Sequence, residues 1–372
     1  MSNIISSMKE NKKVLIAMIL AIILIVLVVV AAAIFFQNQK KTITYSEMET
    51  ELVKATRKYL QANSSLIPSY SNPTAIVDSN ELISGDYLKD IDKQVNDNSC
   101  SATVTVTYIE DNKFNFKPQL MCANYQTIDF IDKVIEDNPY IPDIQGLYDL
   151  NGEMVFRGEN PNNHVNFAGK SWRIVKMEQN GEVTLILNDA ESNNFDNMAY
   201  DDRYNIELGN NRGINNYELS RVKEFLLTKY ESTFKDYSTV MIPFQNCIAN
   251  RGMDDIDNSG TKECMAYSEE NYLQLLPLYD YINASLDSTC YAASDKNCQN
   301  YNYLKHTKIR WWLSTPSDEN TSKVFSVKNT GLIETDYASS KKQIRYIIKI
   351  NGDQIYQSGN GTAGSPYVFK VN

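Results

Sequence analysis

The sequence predicts an α+β chain: an N-terminal transmembrane helix that continues into an amphipathic helix and a small disulfide-closed sheet, then a large β-rich domain. Three observations predict it. Val14 to Phe36 are twenty-three unbroken apolar residues, Ala102 to Tyr108 alternate in polarity, and the pairs Asn151-Gly152 and Asn180-Gly181 each sit between extended segments.

At about 1.5 Å per helical residue the apolar run reaches roughly 34 Å, enough to cross a hydrocarbon core of roughly 30 Å. A cleaved signal peptide is the rival reading, because Lys9, Lys12 and Lys13 form a basic start and Ala31-Ala32-Ala33 offers small residues to a peptidase. The apolar core of such a peptide is only about 7–15 residues, so residues 14–36 are read as an uncleaved signal anchor. Lys40 and Lys41 nearly balance the lysines before the run, which leaves direction to the cysteines. All six, Cys100, Cys122, Cys247, Cys264, Cys290 and Cys298, lie beyond the run in close-spaced pairs, the pattern of an oxidising compartment. The expected placement is a single-pass cell-membrane protein with residues 1–13 as a cytoplasmic tail and an extracytoplasmic C-terminal part.

Met48, Leu52, Ala55 and Tyr59 recur at helical spacing and predict a helix from Thr44 to Ala62 within a juxtamembrane segment, 37–66. Ser46 with Glu49 has the capping-box spacing, and Asn63 and Pro68 stop the helix. Residues 67–145 read as a small α+β domain. It has a helix-compatible piece near Glu81–Val95, a strand over 102–108, and a partner strand through Phe114, Phe116 and Leu120 to Cys122. A bridge between Cys100 and Cys122 would close this hairpin and add roughly 3 kcal/mol in the chain-entropy model.

Residues 146–372 form the β-rich domain. Asn-Gly between extended runs is a strong hairpin signal, and it predicts hairpins around 151–152 and 180–181. Leu219, Val222, Phe225, Leu226 and Tyr230 make an apolar stripe and predict a helix between about Asn216 and Phe234. Tyr272–Leu276 reads as a buried strand, with Pro277 opening a short helix through Ala284. Further strands are predicted at Trp311–Pro316, Lys323–Val327 and Ile344–Ile350, and a last short one in the tail from Gly359 to Val371.

The net charge of −10, with five lysines and one glutamate before residue 42, leaves the outer part strongly acidic and without the basic clusters a nucleic-acid footprint needs. His164 and His306 are the only histidines, which argues against a multi-histidine metal site or relay. No Gly-x-Ser-x-Gly elbow, phosphate-binding Gly-x-x-x-x-Gly-Lys-Ser/Thr loop or His-Glu-x-x-His helix occurs, so no enzyme is expected. Asp255, Asp257 and Ser259 fall at alternate positions before Gly260, as hard oxygen donors do around calcium. The twelfth position of an EF-hand is Ala266, which leaves a looser calcium candidate of Asp255, Asp257 and Glu263 in a loop closed by Cys247 and Cys264. Cys290 and Cys298 read as a local staple. Trp311 and Trp312 point to opposite faces of a strand, so one belongs to the core and the other is a candidate ring-stacking residue for a sugar.

Two resemblances are carried by these residues. The apolar run, the amphipathic helix and the disulfide-closed sheet, over 14–125, resemble a pilin or pseudopilin. Phe156-Arg157-Gly158 with Asn160-Pro161-Asn162-Asn163, Trp172-Arg173-Ile174, Leu275 to Tyr281, Trp311 to Ser314, Gly331-Leu332-Ile333, Ile344-Arg345 and Gly359 to Thr362 with Ser365-Pro366-Tyr367 resemble an uncharacterised surface domain of Firmicutes. That domain is distantly similar to the C-type-lectin-like fold shared with formylglycine-generating enzymes. Together they imply a membrane-anchored surface protein that displays a lectin-like binding or adhesion domain toward a glycan or a surface protein. The alternatives are a pseudopilin-like component of a secretion or pilus assembly, and a surface enzyme with a non-motif active site.

Overall fold

The computed structural model describes residues 42–190, 198–255, 258–287, 302–306 and 308–371. The expected span at 14–36, Asp257, Cys290 and Cys298 lie outside the described residues. The chain divides into two compact units between Gln126 and Thr127.

In the first unit, helix α1 (Tyr45–Ala62) starts at Thr44, whose backbone is extended. Thr44 Oγ1 accepts from the Glu47 amide at 3.2 Å, and the Glu47 carboxylate accepts from the Thr44 amide at 2.7 Å. This capping box lies two residues ahead of the expected Ser46/Glu49 pair; Glu49 is instead buried and accepts from the Tyr125 hydroxyl at 2.9 Å. An N-cap residue leaves helical geometry, so α1 begins here and does not continue a preceding helix.

Met48, Leu52 and Ala55 face inward from α1. They pack on a three-stranded antiparallel sheet whose first member, β1 (Thr74–Asp78), the sequence pattern did not reveal. Two single-turn helices, α2 (Ser79–Ser84) and α3 (Ile91–Val95), occupy the helix-compatible stretch. The expected hairpin follows as β2 (Ser101–Glu110) and β3 (Lys113–Met121), with β2 central. Ala102, Val104 and Val106 are buried on one face against Phe116 and Leu120, the two valines and the leucine each worth about 1.5–3 kcal/mol on burial. The Cys100–Cys122 disulfide closes the open end of the hairpin beside the Ser101–Met121 pairing.

The second unit starts at Thr127, earlier than the expected Gly146, because α4 (Phe130–Asp137) buries Phe130 and Val134 in its core beside Tyr367 and Phe369. Its strands are β4 (Gly146–Leu150), β5 (Glu153–Arg157), β6 (His164–Phe167), β7 (Lys170–Met177), β8 (Glu182–Leu187) and β9 (Met198–Ala199). Then come α5 (Arg221–Lys229), β10 (Met241–Ile242), β11 (Gln274–Leu275) and α6 (Leu278–Asn283). The rest are β12 (Trp311–Pro316), β13 (Lys323–Val327), β14 (Ile333–Tyr337), β15 (Lys341–Lys342), β16 (Tyr346–Asn351), β17 (Tyr356–Ser358) and β18 (Val368–Phe369).

An eight-stranded antiparallel sheet in the order β10-β16-β8-β7-β5-β4, with β11 also on β16 and β6 also on β7, carries the unit. A second sheet is β12-β13-β14, and two small pairs, β15-β9 and β17-β18, complete it. Both Asn-Gly hairpins form as expected: Asn151 and Gly152, at φ of 58° and 92°, make the left-handed two-residue turn, whereas β7 and β8 are joined by the longer turn 178–181, in which Gly181 alone is left-handed, at φ of 85°. The helix expected over 216–234 begins later but reaches its expected end, continuing beyond Lys229 as a π-helical turn over Tyr230–Phe234. Ser220 Oγ accepts from the Lys223 amide and starts α5 at Arg221, leaving Leu219 outside it and 55% exposed. Pro277 is the N-cap of α6 and lies just outside its first turn.

The fold class is therefore corrected. The described chain is β-rich with few helices, and among the described residues no helix is both long and apolar enough to cross a membrane. In place of an α+β chain led by a continuous membrane-to-surface helix and ending in a lectin-like domain, it consists of two separately cored units, the first a helix packed on a three-stranded sheet and the second β-rich.

Candidate functional site

A cleft of about 310 Å³ in the second unit is walled by three pieces of chain: Leu150, Asn151 and Glu153 of the β4–β5 turn, Asn258, Ser259 and Cys264 of a disulfide-closed loop, and Tyr279 and Asn283 of α6. Each wall is fixed by local chemistry. In the turn, the Gly152 amide donates to Asp149 Oδ1 at 2.8 Å, which orients Glu153 at the start of β5. The loop is tied by Cys247–Cys264 across a sequence separation of 17 and by the Ala249 amide on the Glu263 carbonyl at 2.9 Å.

Glu263 pins this loop to α6. Its Oε1 accepts from Arg251 Nη1 at 3.0 Å and from the Tyr279 amide at 3.1 Å, at the first turn of the helix where backbone N–H groups lack intrahelical partners. Arg251 and Glu263 are both fully buried, and Arg251 Nη2 also holds the Asp255 carbonyl at 2.9 Å. Burial pushes the Glu263 carboxyl up against the pull of Arg251. Asn283 Nδ2 donates to the Asn258 carbonyl at 3.0 Å and ties the far end of α6 to the same loop.

Behind the cleft lies a compact charged cluster. Lys176 Nζ, on β7, is 3.1 and 3.2 Å from the two Glu153 oxygens, 3.3 Å from Asp280 Oδ1 and 3.3 Å from the Tyr279 hydroxyl. The Lys176 and Asp280 side chains are only 7% and 5% exposed. Burial opposes the Lys176 charge, but Asp280, Tyr279 and Glu153 outweigh it and hold the ammonium well above its ordinary range. Burial pushes the Asp280 carboxyl up to about 6 even though Lys176 pulls the other way. The cleft thus offers amide and hydroxyl groups for neutral polar ligands and one anchored carboxylate, Glu153, for a hydroxyl or amine.

The residues singled out from sequence do not converge on it. Asp255 lines a separate open depression of about 690 Å³ with Gly252, Asp254, Lys262, Asp318 and Glu319, and its carboxylate is 2.6 Å from Lys262 Nζ. With Glu263 facing Arg251 and Asp255 facing Lys262, both described members of the calcium candidate already have cationic partners; Asp257 lies outside the described residues. Among the described residues the one cluster with metal-donor spacing is Asp97, Cys100 and Cys122, whose sulfurs are joined in the disulfide. Asp97 there accepts from the Tyr45 hydroxyl at 2.7 Å and from Asn124 Nδ2 at 2.9 Å, as a structural hub of the first unit.

Trp311 and Trp312 are both fully buried, so neither ring face is open to a sugar, and that expectation is corrected. Trp311 packs against Tyr281 and under the Arg345 guanidinium at 4.7 Å; Trp312 donates from Nε1 to the Met198 carbonyl at 3.1 Å. Both faces of β12 are covered, which alternation alone does not reveal. His306 lies 3.3 Å from Asp189, and His164 is held low, about 4, by burial and by Arg173.

Lys176, Asp280 and Arg251 escaped sequence reasoning. The available signal was a charged residue inside an apolar run, Lys176 within Trp172–Met177 and Asp280 within Leu278–Ile282. Comparison of the chain with protein-family models, curated proteins and solved structures finds no match.

Proposed function

We propose that this protein works outside the cytoplasm as a binding protein that takes a polar, hydroxyl-rich ligand in the cleft between the β4–β5 turn and α6. One observation carries the reading: the loop that forms one wall of the cleft is closed by the Cys247–Cys264 disulfide. A disulfide in a cleft wall ties the site to an oxidising compartment, and a second one closes the hairpin of the first unit. The apolar run at 14–36 supports delivery to the membrane from the sequence side. The lining supports the ligand class, because asparagine, serine and tyrosine groups supply hydrogen bonds without requiring a charged partner, and Glu153 adds a directional acceptor.

Two measurements test it. Rapid acid quenching and thiol alkylation of whole cells, followed by fractionation, should recover the chain outside the cytosol with Cys247 and Cys264 unalkylated. Calorimetric titration of the full chain with cell-wall glycan fragments and simple oligosaccharides should give saturable binding that Asn283→Ala weakens about tenfold, because it removes the hydrogen bond that ties α6 to the loop wall of the cleft. A cytosolic chain with alkylated cysteines, or no saturable binding across the set, overturns the reading.

A further inference from the structure

Buried lysine–carboxylate pairs are costly, because two ions leave water and recover the loss only through their mutual geometry. Of the three buried lysines among the described residues, Lys223 and Lys342 pair with carboxylates that keep a good part of their surface in solvent. Lys176 differs. Its partner Asp280 is as deeply buried as the amine, and a second carboxylate, Glu153, reaches the same Nζ from the cleft side. Two elements far apart in the chain, β7 and α6, therefore bring an amine and a carboxyl to 3.3 Å in a nearly dry site, with a third group placed to carry protons.

We propose that Lys176 and Asp280 are a modification site, where an intramolecular amide forms between Lys176 Nζ and Asp280 Cγ with Glu153 as the proton carrier. The ammonium is held charged by its neighbours, so it becomes nucleophilic by handing a proton directly to the Glu153 carboxylate. Glu153 passes that proton to an Asp280 carboxylate oxygen, which makes the carboxyl group electrophilic. The lone pair of Nζ then attacks Asp280 Cγ, forming the N–C bond and a tetrahedral centre; a second proton moves from nitrogen to the already protonated oxygen, and the C–O bond breaks. Of the three ammonium protons, one stays on the amide nitrogen and two leave with the oxygen as one water. No oxidant, metal or cosubstrate enters the balance.

Three features favour the step at this pair. The raised Asp280 carboxyl makes its protonated, electrophilic form more accessible than for a surface aspartate. Nζ is already held 3.3 Å from Asp280 Oδ1, which supplies the proximity that an intermolecular amidation lacks. The product replaces two buried charges by a neutral amide, removing the desolvation cost while leaving Glu153 at the cleft mouth to release the water. The Arg251–Glu263 pair is equally buried but cannot follow this route, because a guanidinium that stays protonated is not a nucleophile.

The test is peptide mapping by mass spectrometry of the full-length chain after reduction and alkylation. The expected result is a branched tryptic peptide joining the segment of Lys176 to the segment of Asp280, lighter than the two linear parts by one water, with no cleavage after Lys176. Lys176→Arg removes the branched peptide. Glu153→Gln, refolded and sampled over time, slows its appearance about a hundredfold, the typical weight of a general acid–base. Ordinary cleavage after Lys176 and separate linear peptides from the folded wild-type chain overturn the proposal. Formation at the wild-type rate in Glu153→Gln overturns the role given to Glu153.

Discussion

Arg251 and Glu263 meet at 3.0 Å with neither side chain reached by solvent, and through the Tyr279 amide this one ion pair fastens the disulfide loop to the start of α6. Removing one member strands the other charge in the interior. Glu263→Ala should therefore cost about 3–5 kcal/mol in the unfolding free energy of the second unit, measured by urea denaturation. The paired replacement Arg251→Met with Glu263→Leu should recover much of it, because it deletes both charges. A loss in the single variant no larger than about 0.5 kcal/mol, the level of a surface change, would show that the pair does not hold the loop.

The Cys247–Cys264 bridge spans 17 residues and shapes a wall of the cleft. Replacing both cysteines by serine should lower stability by roughly 3 kcal/mol and weaken any ligand of the cleft more than it weakens the fold of the first unit. Thermal scans of the double variant beside the parent decide this, with the first unit's transition expected unmoved.

His164 gives the acid side of the stability profile a definite sign. Its folded pKa, about 4, lies below the usual 6.5, so between those values the unfolded chain takes up a proton that the folded chain refuses. Stability contributed by this group is complete above pH 6.5 and declines as pH falls toward 4, by about 2 kcal/mol after discounting for the partly exposed ring. His164→Gln should flatten that part of the curve. An unchanged slope from denaturation at a series of pH values would contradict the burial argument.

Because both indoles of the Trp311-Trp312 pair are interior, their role is packing. Trp312→Ala should cost about 3–5 kcal/mol, whereas Trp312→Phe should keep the fold and leave glycan affinity as it was. A Trp312→Phe protein that folds normally but loses ligand would restore the ring to a binding role.

What could be read in the sequence was whatever is decided locally. The turns at Asn151-Gly152 and at Gly181 use left-handed backbone that few residues adopt, so the residue type alone gives the turn away. Alternation over 102–108 placed Val104 and Val106 on the buried face of β2. Local rules failed where two local signals compete. Leu219 has the spacing of a helical stripe, but Ser220 caps the helix behind it, and at Glu49 tertiary contact with Tyr125 overrode a plausible cap. The cleft was the least legible part. Lys176 meets Asp280, and Arg251 meets Glu263, only after strands, a helix and a bridged loop have been assembled, and no spacing rule encodes that encounter.

The Cys100–Cys122 bridge sits where the chain enters β2 and leaves β3, at the end of the hairpin opposite its turn. A pull applied to the chain on either side of this hairpin would otherwise peel the two strands apart rung by rung, the geometry of least mechanical resistance. With the covalent link at the first rung, tension passes from residue 100 to residue 122 through sulfur, and the intervening strands bear no load. The β2–β3 hairpin is thereby held against separation under tension by a covalent link and not by its hydrogen bonds alone.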